Sequence, residues 1–405
     1  MLNDRLDQLT DYPFDRLRAL LDPITPPPVS PLVMSIGEPQ HAAPSFLREV
    51  LDANAALWNR YPPTNGTPAF RSAVVDWLNR RFHLPAGMLD ADRHVLPVAG
   101  TREALYAIAD LVVPRRKSGG KAAVLIPNPF YQVYLGAALM AGAEAVFLQA
   151  GESTGFLPDF SPLEPAASND TMFDPYVLDR TALAYLCSPA NPQGAIMGAD
   201  ALERAIRLAR RHDFVLAVDE CYSEIYDRDP PVGALEVCAR MGGDLGNVLV
   251  FHSLSKRSSV PGLRSGFVAG DPALIAAFAR LRAYGGAVTP LPVLTAATVL
   301  WRDEDHVDRS RSLYRAKIDA AERILGGRFG FRRPPGSFFL WLKVGDGEEA
   351  AKALWREAAI RVLPGAYLAR PTANGVNPGA GYIRVALVHD QETTEAALRR
   401  IRDIL

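Results

Sequence analysis

Five short apolar runs recur along the middle of this 405-residue chain: AAVLI (122 to 126), LAYLC (183 to 187), FVLAV (214 to 218), NVLVF (247 to 251) and SGFVAG (265 to 270). None alternates apolar with polar residues, so each reads as a strand with no face left for water. Strands of that kind need cover on both sides, and helices that return the chain between parallel strands supply it. The intervening segments have the helical period. TREALYAIADLVV (101 to 113) places Leu105, Ile108 and Val112 on one face, and ADALERAIRLARRH (199 to 212) gathers Leu202, Ile206 and Leu208 near its apolar side. The alternation predicts an α/β fold, doubly wound around a largely parallel sheet.

From about residue 290 the pattern changes. A long helical stretch around SRSLYRAKIDAAERIL, the strand-like SFFLWLKV and a closing helix in ETTEAALRRIRDIL predict a smaller α+β unit. PITPPPVSP (23 to 31) cannot be a helix interior and is expected to carry an extended arm. The expected division is an N-terminal arm over 1–45 that packs with the small unit, a large unit over 46–289 and the small unit over 290–405. A chain of 405 residues is long enough for about two to three domains with a cleft between them.

Lys and Arg number 44 against 45 Asp and Glu, scattered without long runs, so the expected partner is a small molecule rather than nucleic acid or a membrane surface. No apolar run approaches the roughly 20 residues of a membrane span. The first 21 residues carry acids and lack a secretory apolar core, and the three cysteines, Cys187, Cys221 and Cys238, have no metal-ligand spacing. These features predict a reduced, cytoplasmic protein without disulfides or a metal site.

In open α/β sheets the ligand crevice lies beyond the carboxyl ends of the strands. The predicted ends carry Asn191 after LAYLC, Asp219 and Tyr222 after FVLAV, and Ser253 and Lys256 after NVLVF. Lys256 lies between a hydroxyl, Ser253, and a guanidinium, Arg264, which suits a lysine that forms an imine with an aldehyde cofactor while its neighbours hold a phosphate. Gly100, Thr101 and Arg102 open a predicted helix whose free N–H groups can cradle an anion. Arg384, flanked by Ile383 and Val385 in a strand-like run, needs an anion or a carboxylate partner.

NPQG (191 to 194), DECY (219 to 222) and SLSKRSSVPGLRSG (253 to 266) resemble the signature of the class I/II aminotransferases of fold type I, which use pyridoxal 5'-phosphate. SIGEP (35 to 39), YPPTNGTPAFR (61 to 71), AGTREAL (99 to 105), PNPFYQVY (127 to 134) and YIRVAL (382 to 387) follow in the family's order, so the resemblance covers nearly the whole chain. It implies a three-layer α/β/α large domain and a smaller α+β domain. It also implies that Lys256 is the Schiff-base lysine and proton carrier, that Asp219 meets the pyridine nitrogen, and that Tyr222 and Asn191 meet the phenolic oxygen. Tyr131 matches the ring that stacks on the cofactor, while Tyr134 and Phe130 read as core. Gly100, Thr101, Arg102, Ser253 and Arg264 would form the phosphate cup, with Tyr61 reaching the phosphate of a neighbouring subunit in a homodimer with sites at the interface. Arg384 and Gly37 would bind the substrate α-carboxylate, and Asn191 would serve substrate as well as cofactor. Two positions depart from the commoner pattern: Arg102, where many members are neutral, and KRSSVPG after the lysine.

LDQLTDYPFDRLRALL, SIGEPQHAAP, NPFYQVYLGAALMAGAE and ECYSEIY are together similar to bacterial succinyldiaminopimelate transaminases. That implies ping-pong exchange between N-succinyl-LL-2,6-diaminopimelate and 2-oxoglutarate in lysine biosynthesis. Both substrates carry a distal carboxylate, for which Arg282, Arg257 and Arg102 are the candidate cations. Other amino donors (N-acetylornithine, aspartate, aromatic amino acids) and a fold-type I lyase reaction remain open, because the same lysine and aspartate serve them.

Overall fold

The computed structural model describes residues 2–163 and 176–405. Its centre is a seven-stranded sheet of β1 (Val95–Val98), β2 (Ala123–Asn128), β3 (Glu144–Gln149), β4 (Thr181–Cys187), β5 (Val215–Asp219), β6 (Val248–Ser253) and β7 (Gly266–Gly270). The strand order is β1-β7-β6-β5-β4-β2-β3. β2 to β6 pair in parallel where they meet, and β7 runs antiparallel to both β1 and β6.

Alternate residues of the central strands feed two separate cores. One takes Leu125, Leu186, Leu216, Val218 and Val250; the other takes Val124, Ile126, Tyr185, Leu249 and Phe251. Both faces are therefore dry, as the continuous apolar runs require. Helix α1 (Thr101–Val112) buries Leu105 and Ile108 on one face together with α2 (Gln132–Met140), while α3 (Ala199–Arg211) buries Leu202, Ile206 and Leu208 on the other. The result is the three-layer α/β/α arrangement of fold type I. The large core also continues past residue 289: helix α4 (Leu291–Arg302) contributes Leu294, Ala297, Leu300 and Trp301, with the Trp301 ring 4.8 Å from that of Trp77.

Toward the C-terminus, β8 (Phe339–Lys343), β9 (Leu363–Pro364) and β10 (Tyr382–Ala386) form an antiparallel sheet ordered β8-β10-β9. It shares a core with α5 (Asp305–Leu325) and α6 (Gln391–Ile404). The N-terminal segment joins it. Leu32 and Val33 pair in parallel with Ile360 and Arg361, and the Ala386 N–H donates to the Met34 carbonyl at 2.8 Å. The helix Pro13–Leu21 buries Leu17 and Leu21 near Trp355, Leu363 and Tyr367. Among the described residues, no helix is long and apolar enough to cross a membrane, no group of acidic, His and Cys side chains is placed to hold a metal, and all three cysteines are free.

A buried ionic cluster ties the two sheets' surroundings together. Glu224 accepts from Arg81 at 2.6 Å and pairs with Arg311 of α5 at 3.1 Å. Burial works against its charge, but Arg81, Arg257 and Arg311 hold its carboxyl below the usual range. Removing one partner of such a cluster strands buried charge, so Glu224→Ala is expected to cost about 3–5 kcal/mol. Urea denaturation followed by circular dichroism checks this, and a loss under about 1 kcal/mol would mean the guanidiniums find water instead.

Candidate active site

The carboxyl ends of β1, β5 and β6 lie along one edge of the sheet, and the reversal of β7 brings its amino end to the same edge. Gly266 of β7 is in register with Ser253 on one side and Val98 on the other. Residues just before β7 therefore face residues just after β1 and β6. A cavity of about 610 Å³ opens there, and its wall includes Gly37, Thr101, Arg102, Tyr131, Asn191, Asp219, Tyr222, Ser253, Lys256, Arg264 and Arg384. Of the residues expected to hold the cofactor or the substrate α-carboxylate, Gly100 and Tyr61 lie off this wall, as do Arg257 and Arg282 among the candidates for a distal carboxylate. Gly100 sits directly behind Thr101, whereas Tyr61 is fully exposed.

At one end of the cavity the groups suit an anion. Gly100 caps α1 with φ +86°, and a Cβ there would collide with the Arg264 guanidinium, so backbone and cation approach as closely as glycine permits. Arg264 donates to the carbonyls of Pro261 at 2.9 Å and Ala99 at 3.2 Å. The Ser253 hydroxyl accepts the Ser255 N–H at 3.1 Å. The unpaired N–H groups at the start of α1 complete the cradle.

Asp219 ends β5 as a buried carboxylate. It accepts from the Tyr134 hydroxyl at 2.8 Å and from the Cys221 N–H at 3.2 Å. Burial pushes its carboxyl up, and the Tyr134 and Cys221 bonds pull it back. A protonated ring nitrogen beside it would supply a cationic partner. Tyr134, expected to be simple core, is thus a support for the site, stacked 4.5 Å from Tyr185 with its hydroxyl on Asp219. Its spacing of three from Tyr131 on one helical turn was the available signal.

Lys256 follows β6 and donates through Nζ to the Gly37 carbonyl, 5.5 Å above the Phe338 ring. Burial lowers its ammonium to about 8, with Arg384 and Arg102 adding repulsion against Cys221 and Glu38. At pH 7 about one molecule in ten then has the neutral amine, against about one in 3,000 for an ordinary lysine. A nucleophilic amine is available at neutral pH.

Arg384 projects from β10, in register with Trp341 and Leu363. It donates to Asn191 Oδ1 at 2.9 Å and to the Ser35 carbonyl at 2.6 Å, lies 4.3 Å over the Phe339 ring, and leaves Nε without a partner. Burial lowers it to about 10, so it stays cationic at neutral pH, and both of its acceptors, the Asn191 amide and the Ser35 carbonyl, are neutral. Tyr222 is buried against Phe338 and Phe339, and burial raises its hydroxyl well above the ordinary value. Tyr131 accepts from Arg102 Nε at 2.8 Å. The cavity wall also includes Tyr12, Phe14 and Glu38, which sequence patterning did not mark.

The sequence pattern of the family "Aminotransferase class I and II" matches residues 30–401. The chain belongs to the class I and II aminotransferases. It is 32% identical to the 4-dedimethylamino-4-oxo-anhydrotetracycline transaminase OxyQ of Streptomyces rimosus, over 97% of this chain and 99% of that one. It is 30% identical to an LL-diaminopimelate aminotransferase of Desulforudis audaxviator, over 99% of this chain and 97% of that protein. The fold matches that of an aminotransferase from Neisseria meningitidis with a TM-score of 0.91 and 41% identity, covering 99% of each chain.

Aminotransferases of this class use pyridoxal 5'-phosphate, and the cavity fits it: an anion cradle closed around Gly100, a buried carboxylate with no ion pair among the described residues, a lysine with a depressed ammonium and a tyrosine ring on the wall. If the Tyr134 bond tunes Asp219, then Tyr134→Phe lets the carboxyl rise further and lowers kcat of the aminotransferase about 5- to 30-fold with little change in KM. Steady-state kinetics with an accepted amino donor checks this, and an unchanged kcat would reduce Tyr134 to packing.

Proposed function

We propose that this aminotransferase exchanges an amino group between the glutamate/2-oxoglutarate pair and an α-amino acid carrying a distal carboxylate, for which N-succinyl-LL-2,6-diaminopimelate is the favoured candidate. One observation carries the reading: Arg384 and Arg102 both line the cavity, and neither has a carboxylate partner among the described residues. A substrate with two carboxylates would supply both. Of the three arginines considered for the distal group, Arg282 is engaged by Glu103 at 2.6 Å and Arg257 by Glu304 at 2.7 Å, and neither lines the cavity.

Pyridoxal 5'-phosphate, when bound, supplies an aldehyde carbon to carry the amine and a ring that accepts the electron pair released at the substrate α-carbon. Thr101, Ser253, Arg264 and the backbone at Gly100 and Arg102 would hold its phosphate, Asp219 its ring nitrogen, Asn191 and Tyr222 its phenolic oxygen, and Tyr131 one ring face. Lys256 Nζ would hold the aldehyde carbon. Freed from that carbon, Nζ would carry the proton from the substrate α-carbon to the former aldehyde carbon, and carry one the opposite way in the second half-reaction. Arg384 would fix the α-carboxylate by a two-pronged contact, with the Gly37 backbone beside it. Tyr61, exposed in this chain, would reach the phosphate of a neighbouring copy, which makes a homodimer the working assembly.

Borohydride reduction of the holoenzyme is expected to leave the cofactor covalently on the peptide that contains Lys256. Lys256→Ala should lose that label and on the order of 10³-fold in turnover. Labelling of another lysine would displace Lys256 from the role.

A second reading, free LL-diaminopimelate, is favoured by Glu38, a carboxylate on the cavity wall without an ion pair among the described residues, which suits a distal ammonium. Half-reactions with glutamate, aspartate, N-acetylornithine, LL-diaminopimelate and the N-succinyl compound separate the readings. The N-succinyl compound and glutamate are expected to react fastest, and Arg102→Gln to slow both about 10- to 100-fold while sparing aromatic amino acids. An equal effect of Arg102→Gln on all donors would remove the distal role. Product release without any 2-oxo acid would point to a lyase.

A further inference from the structure

Four basic side chains meet the segment from Val33 to His41, three at its backbone carbonyls and one at the His41 ring. His389 Nε2 lies 2.9 Å from the Val33 carbonyl, Arg384 donates to the Ser35 carbonyl, Lys256 to the Gly37 carbonyl, and Lys317 Nζ lies 2.7 Å from His41 Nε2. The two middle donors are the groups that cofactor and substrate would claim. Once they turn away, the Ser35–Gly37 backbone depends on its outer contacts. The approach is tight: a Cβ on Gly37 would strike Phe339.

The contact at His41 has an unusual composition. Lys317 of α5 is 1% exposed, donates to the Leu387 carbonyl at 3.1 Å and lies 4.9 Å over the Tyr314 ring. No described carboxylate forms an ion pair with it, and Asp390 acts only from a distance. His41 packs 4.5 Å from the same ring, with Nδ1 3.5 Å from the Ser310 hydroxyl, which in turn faces Ser259. Tyr314 stacks at 5.1 Å on Phe338, the ring beneath Lys256. An ammonium and an imidazole nitrogen at this separation attract only while that nitrogen is bare. Burial first and Lys317 second lower His41 to about 4, and burial lowers Lys317 to about 8, so neutral pH supplies the charges this bond needs.

We propose that His41 and Lys317 are positioning residues, a clasp that keeps the Ser35–Gly37 backbone over the cavity while Lys256 and Arg384 serve cofactor and substrate, and that protonation of His41 opens the clasp. His41 in the open form regains an ordinary histidine's affinity for protons. Because its affinity is depressed in the closed form, closure loses stability as pH falls through the window from about 6.5 toward 4. Between pH 7.5 and 5.5 the open fraction should rise roughly tenfold.

Hydrogen exchange of the holoenzyme, read on peptides covering residues 32–42 and corrected for intrinsic rates, tests this. Wild type should show the roughly tenfold step between pH 7.5 and 5.5. His41→Gln keeps an acceptor that does not titrate, and should stay protected with no step. Lys317→Met removes the donor and should exchange fast at both pH values, and it serves as the second variant if Gln at 41 perturbs folding. A step of wild-type size in His41→Gln, or wild-type protection and step in Lys317→Met, would overturn the clasp. The readout needs no substrate, so it stands or falls apart from the substrate reading.

Discussion

With both faces of the seven-stranded sheet covered, its polar side chains can gather only at the strand ends, and the reversed direction of β7 decides which ones meet. A parallel strand in that place would deliver the residues preceding it to the opposite edge. Running antiparallel between β1 and β6, β7 instead brings Arg264 to the edge where Ser253 ends β6 and Thr101 leaves β1. The anion cradle is thus a consequence of strand direction, and Gly100 has no side chain because the Arg264 guanidinium occupies its space. Asp219 and Lys256 reach the same edge from the parallel strands, which sets a carboxylate and an amine on one cavity.

That cavity holds more positive charge than its one buried carboxylate balances. Lys256, Arg384 and Arg102 share the wall, and burial is what leaves Lys256 with an available neutral amine, the repulsion from Arg384 and Arg102 being opposed by Cys221 and Glu38. The Gly37 and Ser35 carbonyls satisfy Lys256 and Arg384 as hydrogen-bond acceptors without neutralising them. A carboxylate in either place would form a charge-assisted bond roughly twice as strong, and an incoming anion would have to compete with it. Neutral acceptors keep the cations satisfied and exchangeable.

The elements legible in the sequence are those buried on both sides, because their apolar runs have no other explanation. β1 and β3 escaped notice because they are the sheet's edges. β1 contains Pro97, which an edge strand tolerates, and β3 alternates between buried and half-wet positions. The site residues that follow strands were legible for the same topological reason. Tyr134 was not, since its hydroxyl meets Asp219 across 85 residues of sequence and from outside looks like one more core aromatic. Arg102, Arg257 and Arg282 were indistinguishable as residue types. Only the tertiary positions of Glu304 and Glu103 separate the engaged pair from the one that faces the cavity.

The wall of the site also depends on the two ends of the chain meeting. Leu32 and Val33 pair with Ile360 and Arg361, and Met34 accepts from Ala386, so the contact of Gly37 with Lys256 rests on pairings more than 300 residues apart in sequence. The cradle around Gly100, Ser253 and Arg264 has no such dependence, because all its parts come from the central sheet. The Arg384 side of the cavity needs the C-terminal sheet as well. Arg384 and Gly37, the groups that would discriminate among amino acids, arrive together with the C-terminal sheet that holds them.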